Sequence, residues 1–338
     1  RLGSTTVTRL VKTLALGSMS ADDVHGHGTG VASIAAGWKW NTTQADNGHA
    51  YNANIVGYSI ANNTGGSSST AVMATAYQTA AADAASFKIV ATNLSYSGSS
   101  SVTDVANLAA DSAALNADLL NATAAGNFGT NVNSSLTNLN GLSVGAVAEN
   151  THTLASFSSR GVQGGRLFPN MCANGVSTDM AARNNESGNY IADGTSMASP
   201  QVCGAATLIR GANAALKADE TRAILLASTE ANPGSGAGLN STGTGAGYLQ
   251  DDVAYQVATT ASLHGRATLT NTTTSWTRNI SVLSGQRVQI AIAWNRLNVT
   301  ATGTTWSNLT LQLRRGTTVL ASSTTASNLD EFIRYTPT

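Results

Sequence analysis

The sequence is short of charge. Only 11% of its 338 residues are charged, and 18 basic residues balance 18 acidic ones. No run of about five or six like charges occurs that could bind nucleic acid or lipid headgroups, so these partners are disfavoured. Because Ser, Thr, Asn, Ala and Gly fill the surface-type segments instead, the composition favours a secreted, extracellular protein over a cytosolic one.

Long apolar runs and cysteine motifs are also missing. No segment reaches the roughly 18 consecutive apolar residues of a membrane span. No signal-peptide core follows Arg1, so we expect any targeting sequence to lie before it. The only cysteines, Cys172 and Cys203, form neither a Cys-x-x-Cys nor a zinc spacing, and both buried free thiols and one disulfide fit. No repeat of roughly 20–50 residues indicates a solenoid or propeller.

Strand-like and helix-like segments alternate through most of the chain. Strands are predicted over residues 55–59, 88–94, 118–124 and 142–147, with an alanine-rich helix over 70–85 and another over 102–116. The second helix has one apolar face, formed by Val102, Val105, Ala106, Ala109 and Ala113. This alternation predicts an α/β layered fold with a mostly parallel sheet and ligands at the carboxyl ends of its strands.

The pattern changes after Tyr248. Residues 288–294 and 309–313 alternate between apolar and polar side chains, with turn residues at Gly285 and Gly316. We therefore predict two domains, a larger one over residues 1–258 and an antiparallel β-sandwich over 259–338.

Ser196 lies in the segment Gly194-Thr195-Ser196-Met197-Ala198-Ser199-Pro200, which precedes an apolar helical stretch. Unpaired amides and the positive dipole end of a helix favour developing negative charge there, which suits a nucleophile. Pro200 is expected in the first turn. The alternative is that Ser196 only caps the helix.

His27 and Asn127 are the partners predicted for this nucleophile. His27 begins another small-residue helix, where a neutral imidazole could accept the serine proton and pass it to a leaving amine. Alternatively, His25 and His27 are surface or metal-binding residues. Asn127 follows a predicted strand and could donate its amide to a tetrahedral oxyanion, although an ordinary turn also fits.

The three segments containing His27, Asn127 and Ser196 together resemble the subtilase family of serine proteases, peptidase family S8, and occur in family order. The resemblance extends to residues 93–98 and 157–161 and covers residues 8–254. It implies a subtilisin-like three-layer fold and a secreted serine endopeptidase acting on proteins or peptides. It also implies a cleft that binds substrate as an added strand, with edges at Ser95, Tyr96, Ser97, Gly98, Ala124, Ala125 and Gly126. Tyr96 either caps a hydrophobic subsite or is merely a partly exposed aromatic residue.

The sequence departs from the family pattern at the triad aspartate. Asp22 and Asp23 are the only acids before His27, and they resemble loop acids that are poor candidates for orienting the ring. Residues 7–17 resemble the segment that follows the aspartate strand in the branch with a C-terminal jelly-roll-like domain. We therefore predict that the acid lies upstream of Arg1, on the chain itself, a cleaved propeptide or an N-terminal fragment. Residues 1–338 alone should then be nearly inactive.

Smaller departures occur at Gly30, Ser33 and Gln201, and these affect packing more than mechanism. Residues 169–175 also differ from the family pattern, which affects the local geometry near Cys172. The resemblance implies that catalysis needs no cofactor. It also implies a stabilising calcium ion, for which loops bearing Asp22, Asp46 or Asp193 could supply oxygen ligands.

Two other functions are compatible with parts of this pattern. A pseudoprotease or peptide-binding module would keep the cleft but lack the acid. Carboxyl-type serine peptidases share the Gly-Thr-Ser block and the fold, but they use glutamate where this chain has His27.

Overall fold

The computed structural model describes residues 8–38, 47–163, 166–185, 188–231 and 243–338. Its elements, in chain order, are β1 (Leu10–Ala15), α1 (His27–Ala36), β2 (Ile55–Ser59), α2 (Thr70–Phe87), β3 (Ala91–Leu94), α3 (Val105–Ala117), β4 (Leu120–Ala124), β5 (Leu142–Val147), β6 (Gly161–Gln163), β7 (Arg166–Phe168), β8 (Met171–Asn174), β9 (Thr178–Ala181), β10 (Asn189–Ala192), α4 (Thr195–Ala212), α5 (Ala218–Ala227), α6 (Asp251–Thr259), β11 (Val288–Ala293), β12 (Leu311–Arg315), β13 (Thr318–Ser323) and β14 (Asp330–Tyr335).

The central sheet contains four parallel strands in the order β3, β4, β5 and β8. β4 and β5 are buried along their whole length, as expected for strands covered on both faces. β1 and β2 form a second parallel pair. The predicted layered fold with a mostly parallel sheet is confirmed.

Helices cover both faces of the central sheet. Side chains alternate along each strand, so neighbouring residues of one strand contact opposite layers. Leu120 and Ala122 of β4 pack into the core that contains Val202 of α4. Asn121 between them faces the other way, and its Nδ2 donates to the carbonyl of Ala110 in α3 at 2.6 Å. α2 packs beside α3. The result is a three-layer arrangement with the sheet in the middle.

The start of α3 differs from the prediction. The helix begins at residue 105 instead of 102, because the Asp104 carboxylate caps it and accepts the Ala106 amide at 2.9 Å. Val105 lies in the first turn and is 51% exposed. Its predicted place on the apolar face is therefore wrong, whereas Ala106, Ala109 and Ala113 are buried.

β3 also starts later than predicted, at Ala91 instead of residue 88. Lys88 ends α2 in the left-handed conformation, with φ of 53°. The residues directly after it complete the turn into the sheet, so the strand is shorter by three residues than the predicted 88–94.

The sheet is interrupted between β2 and β3. These strands are joined by α2, yet within the described residues β2 pairs only with β1 and β3 only with β4. A cavity of about 2260 Å³ is lined by both strands, by Tyr77 of α2 and by Cys203 of α4, and it extends to His27. Both strands are only half-buried throughout, unlike β4 and β5.

The C-terminal strands form two antiparallel pairs, β11 with β14 and β12 with β13. Gly285, before β11, and Gly316, between β12 and β13, have positive φ of 77° and 58°, which glycine tolerates best. These strands are consistent with the predicted small β-domain. Its boundary near residue 259 stays a prediction.

A buried cluster of charged and amide side chains connects these strands to the larger part of the chain. Arg296, which follows β11, pairs with Asp111 of α3 at 2.6 Å, and both side chains are fully buried. Asp330 of β14 accepts a hydrogen bond from Asn170 Nδ2 at 2.9 Å. Arg222 of α5 donates to the carbonyl of Leu329 at 2.9 Å. The cluster therefore links the two parts through the interior.

Cys172 and Cys203 are both buried and free, so the structure has the free thiols rather than the disulfide. Burial raises the pKa of the Cys203 thiol to about 12, which leaves it protonated at neutral pH. No helix in the described ranges is long and apolar enough to cross a membrane.

Candidate active site

Ser196 is the second residue of α4, at the helix N-terminus that the sequence predicts. The chain enters this helix through Gly194, whose φ is 152°. A Cβ at Gly194 would lie 3.3 Å from Asn127 Nδ2 and 3.4 Å from Met197 Sδ. Glycine therefore lets the turn at residues 194–196, here called the nucleophile turn, pass close to Asn127.

Pro200 is the sixth residue of α4, not in its first turn as expected. A helical residue donates its N–H to the carbonyl four residues earlier, so Pro200, which has no N–H, leaves the Ser196 carbonyl without a helical partner. The Ser95 hydroxyl donates to this carbonyl at 2.8 Å. The segment after β3 thus supplies the bond that proline removes.

Asn93 holds Ser95 in this position. Asn93 Nδ2 donates to Ser95 Oγ at 3.0 Å, and its Oδ1 accepts the Ser199 hydroxyl at 2.6 Å. Ser199, on α4, is fully buried. The family resemblance implied Ser95 at the cleft edge, but the sequence did not reveal the roles of its hydroxyl and of Asn93 and Ser199. The proline four residues after Ser196 was the signal that an external donor is needed.

Asn127 is exposed at the carboxyl end of the sheet, three residues after β4. Its Oδ1 accepts two hydrogen bonds from Thr195, one from the amide and one from the hydroxyl, both at 3.0 Å. Thr195 Oγ1 also accepts the Gly126 amide at 3.1 Å. Because Oδ1 is already engaged, the amide is oriented with Nδ2 available to a ligand. Sequence reasoning missed this contribution of Thr195.

His27 is the first residue of α1, as predicted, and Asp23 organises the turn before it. Asp23 Oδ1 accepts the amides of His25 and Gly26, and Oδ2 accepts the amide and hydroxyl of Thr29, at 2.7–3.0 Å. Burial raises the pKa of Asp23, but these hydrogen bonds together lower it by more, so the net shift is downward. Both oxygens therefore serve the backbone turn and not the His27 ring.

The surroundings of the His27 imidazole favour its neutral form. Its pKa is lowered first by burial and then by the neighbouring His25, with Asp23 opposing both. The two histidine rings lie 6.3 Å apart, edge to face. A neutral ring is the form that accepts a proton.

Ser196 and His27 line the same cavity. Within the described part of the chain no hydrogen bond joins them, and the Ser196 hydroxyl instead donates to the Ser95 carbonyl at 3.5 Å. Catalytic hydrogen bonds are often long in structures without substrate and shorten when it binds. No carboxylate among the described residues hydrogen-bonds the His27 ring.

The predicted cleft residues fall into two groups. Ser95, Tyr96, Ser97, Ala124 and Gly126 line the cavity, and the Tyr96 hydroxyl donates to the Gly66 carbonyl at 2.8 Å. Ala125 and Gly98 do not line it. Ala125 is fully buried, and its amide donates to Val144 O, while the Gly98 amide donates to Ser134 O.

No cluster of three or more metal-binding side chains is found among the residues that the structure describes. Asp193 accepts the amide of Ser177 at 2.7 Å, and Asp46 lies outside the described residues.

Comparison with known proteins identifies the family. A family model described as the subtilase family matches residues 16–248, a range that contains His27, Asn127 and Ser196. A solved structure of a cold adapted subtilisin-like serine proteinase superposes with a TM-score of 0.57 over 71% of this chain and 79% of its own, at 24% identity, and supports the fold. The family match covers more than half of the chain, so this protein belongs to the subtilase family and is a serine endopeptidase.

Proposed function

We propose that the protein is a secreted serine endopeptidase that cleaves peptide bonds through an acyl-enzyme on Ser196. The Ser196 hydroxyl attacks the scissile carbonyl while His27 accepts its proton and then passes it to the leaving amine. The same histidine activates the water that releases the acid product. The low charge content supports secretion.

Asn127 is proposed to stabilise the tetrahedral oxyanion. The observation that carries the proposal is the pair of hydrogen bonds by which Thr195, the residue next to Ser196, orients the Asn127 amide. A donor fixed in this way lowers the barrier by about 3–4 kcal/mol, because it needs no reorganisation as charge develops.

The substrate is proposed to lie as an extended peptide between residues 95–97 and the segment at Ala124 and Gly126. Edge pairing of this kind supplies affinity through the main chain and specificity through side-chain pockets. The Tyr96 ring packs near Met73 and Leu136, which supports its role as one wall of a hydrophobic subsite.

The acid that would orient His27 is proposed to come from a segment upstream of Arg1, as part of the chain or as a cleaved propeptide or fragment. The open edges of β2 and β3 support this source. Because peptide groups alternate along a parallel strand, the bonds from Ile55 N to Arg9 O and from Leu120 N to Val90 O leave four residues facing the gap: Val56, Tyr58, Ala91 and Asn93.

An extended segment in this gap, parallel to β2 and β3, would complete the hydrogen-bond ladders of both strands. Its carboxyl end would then lie beside His27. The buried Tyr77 hydroxyl, which has no hydrogen-bond partner among the described residues, also borders the cavity. A second candidate function follows from the same observation. Without such a segment, residues 1–338 would act as a pseudoprotease that binds peptides without cleaving them.

Labelling with a fluorophosphonate tests the proposal. The chain with its natural upstream sequence and residues 1–338 alone are labelled in parallel, and the adduct is mapped by mass spectrometry. We expect a Ser196 adduct that forms faster by orders of magnitude in the longer chain and is absent from Ser196→Ala. A folded longer chain without an adduct would refute the protease proposal and favour the peptide-binding alternative.

Catalysis is proposed to need no cofactor. Incubation with EDTA should therefore leave the initial labelling rate of Ser196 unchanged. A fall in Tm under EDTA at an unchanged rate would reveal the structural calcium that the resemblance implies, whereas immediate loss of labelling would refute cofactor-free catalysis.

A further inference from the structure

The hydrogen bonds between β3 and α4 form a closed ring around the nucleophile turn. Ser199 donates to Asn93 Oδ1, Asn93 Nδ2 donates to Ser95 Oγ, and Ser95 Oγ donates to the carbonyl of Ser196. Ser196 and Ser199 are three residues apart on one helix, so the ring grips the N-terminal turn of α4 at two points. Ser95 is 9% exposed and Ser199 fully buried, which shields these bonds from water.

Pro200 makes this ring necessary. A non-proline residue at this position would donate its N–H to the Ser196 carbonyl and hold the turn from within the helix. With proline there, the same carbonyl is held from outside by Ser95. The position of the nucleophile then depends on the strand segment that also lines the cleft.

We infer that Asn93 and Ser95 are positioning residues, which fix Ser196 relative to the substrate-binding edge at residues 95–97. Neither side chain touches the reacting atoms. They act by holding the main chain of Ser196, and this inference rests on the proposed function of that serine. Misplacement of a nucleophile by about 1 Å costs up to about 10²-fold in rate.

Ser95→Ala and Asn93→Ala in the active, full-length chain test the inference. We expect kcat to fall about 10- to 100-fold with KM changed less than about twofold, at a temperature well below Tm and after normalisation to folded protein. Ser95→Thr, which keeps the hydroxyl, should recover most of the rate. Thr207→Ala is the matched control, because it removes a hydroxyl bonded within the same helix, to Cys203 O at 2.9 Å.

Pro200→Ala provides a sharper test, because it restores an N–H that can bond the Ser196 carbonyl. The loss of kcat caused by Ser95→Ala should shrink several-fold in the Pro200→Ala background. A purely structural role would lower Tm without this recovery of kcat. The inference would be overturned if Ser95→Ala and Asn93→Ala each kept a kcat within twofold of the parent.

The coupling is also measurable without activity. The effects of Ser95→Ala and Pro200→Ala on the unfolding equilibrium constant should be non-additive by several-fold. Additive effects would overturn the inference even if the protein proves to be a pseudoprotease. Non-additive effects with no Ser196 labelling would instead keep the ring and refute only the proposed protease function.

Discussion

The nucleophile turn and the histidine turn are built to different degrees of completeness. At the nucleophile turn, Asn127 is oriented by Thr195 and the Ser196 carbonyl is held by Ser95. At the turn before His27, Asp23 accepts three backbone amides and the Thr29 hydroxyl, but no described residue hydrogen-bonds the His27 ring. The backbone of each turn is thus secured locally, whereas the ring orientation depends on a group from elsewhere.

The largest expected effect comes from removing His27 in two contexts. In a chain that includes the proposed acid, His27→Ala should lower kcat about 10⁶-fold. In residues 1–338 alone, where kcat is already low, the same substitution should lower it only about a further 10²-fold, because a triad acts as a unit. Rates of acylation measured with an activated ester would show this. Equal losses in both contexts would mean that the ring is already fully supported in residues 1–338.

The next largest effect concerns the side-chain amide of Asn127, which Thr195 orients. Asn127→Ala should lower kcat about 10²- to 10³-fold. Thr195→Val, which removes one of the two donors to Oδ1, should cost less, because the Thr195 amide remains. Steady-state kinetics at saturating substrate would measure both. An Asn127→Ala variant with unchanged kcat would remove Asn127 from the mechanism.

On the histidine side, Asp23→Ala should destabilise the protein by about 1 kcal/mol at neutral pH, because the amides of His25, Gly26 and Thr29 lose their acceptor. The folded-state pKa of Asp23 is lowered, so its contribution is present above the unfolded pKa and disappears as pH falls through the folded value. Urea denaturation of parent and variant at several pH values would show the curves converging in acid. The exposed Asp22 provides the control Asp22→Ala, for which no comparable loss is expected.

The smallest effect comes from His25. The electrostatic influence of His25 lowers the pKa of His27, so His25→Gln should raise that pKa and move the acid limb of the kcat/KM profile to higher pH. The direction can also be checked by an NMR titration of the His27 ring. His264→Gln, at a histidine that bonds Glu220, should leave the limb in place, and an opposite shift in His25→Gln would contradict the electrostatic account.

The sequence was most informative where small residues and apolar runs leave few choices. β2 and β5 have their predicted bounds, His27 begins α1, and Ser196 lies in the first turn of α4 as expected. It was less informative where a single cap decides an end, as Asp104 does for α3. The ring through Asn93, Ser95 and Ser199 was not predictable, because it joins side chains about a hundred residues apart through tertiary contacts.

The buried cluster around Arg222 and Arg296 affects how well the protein resists cleavage by other copies of itself. Loosening of the C-terminal strands would separate the buried Arg296 from Asp111 and the buried Arg222 from the Leu329 carbonyl. Leaving buried charges unpaired in this way typically costs several kcal/mol. We therefore expect the C-terminal strands and the larger part of the chain to melt in a single cooperative transition. An endopeptidase cuts unfolded segments most readily, so a tail that cannot loosen by itself offers neighbouring molecules no early point of self-digestion.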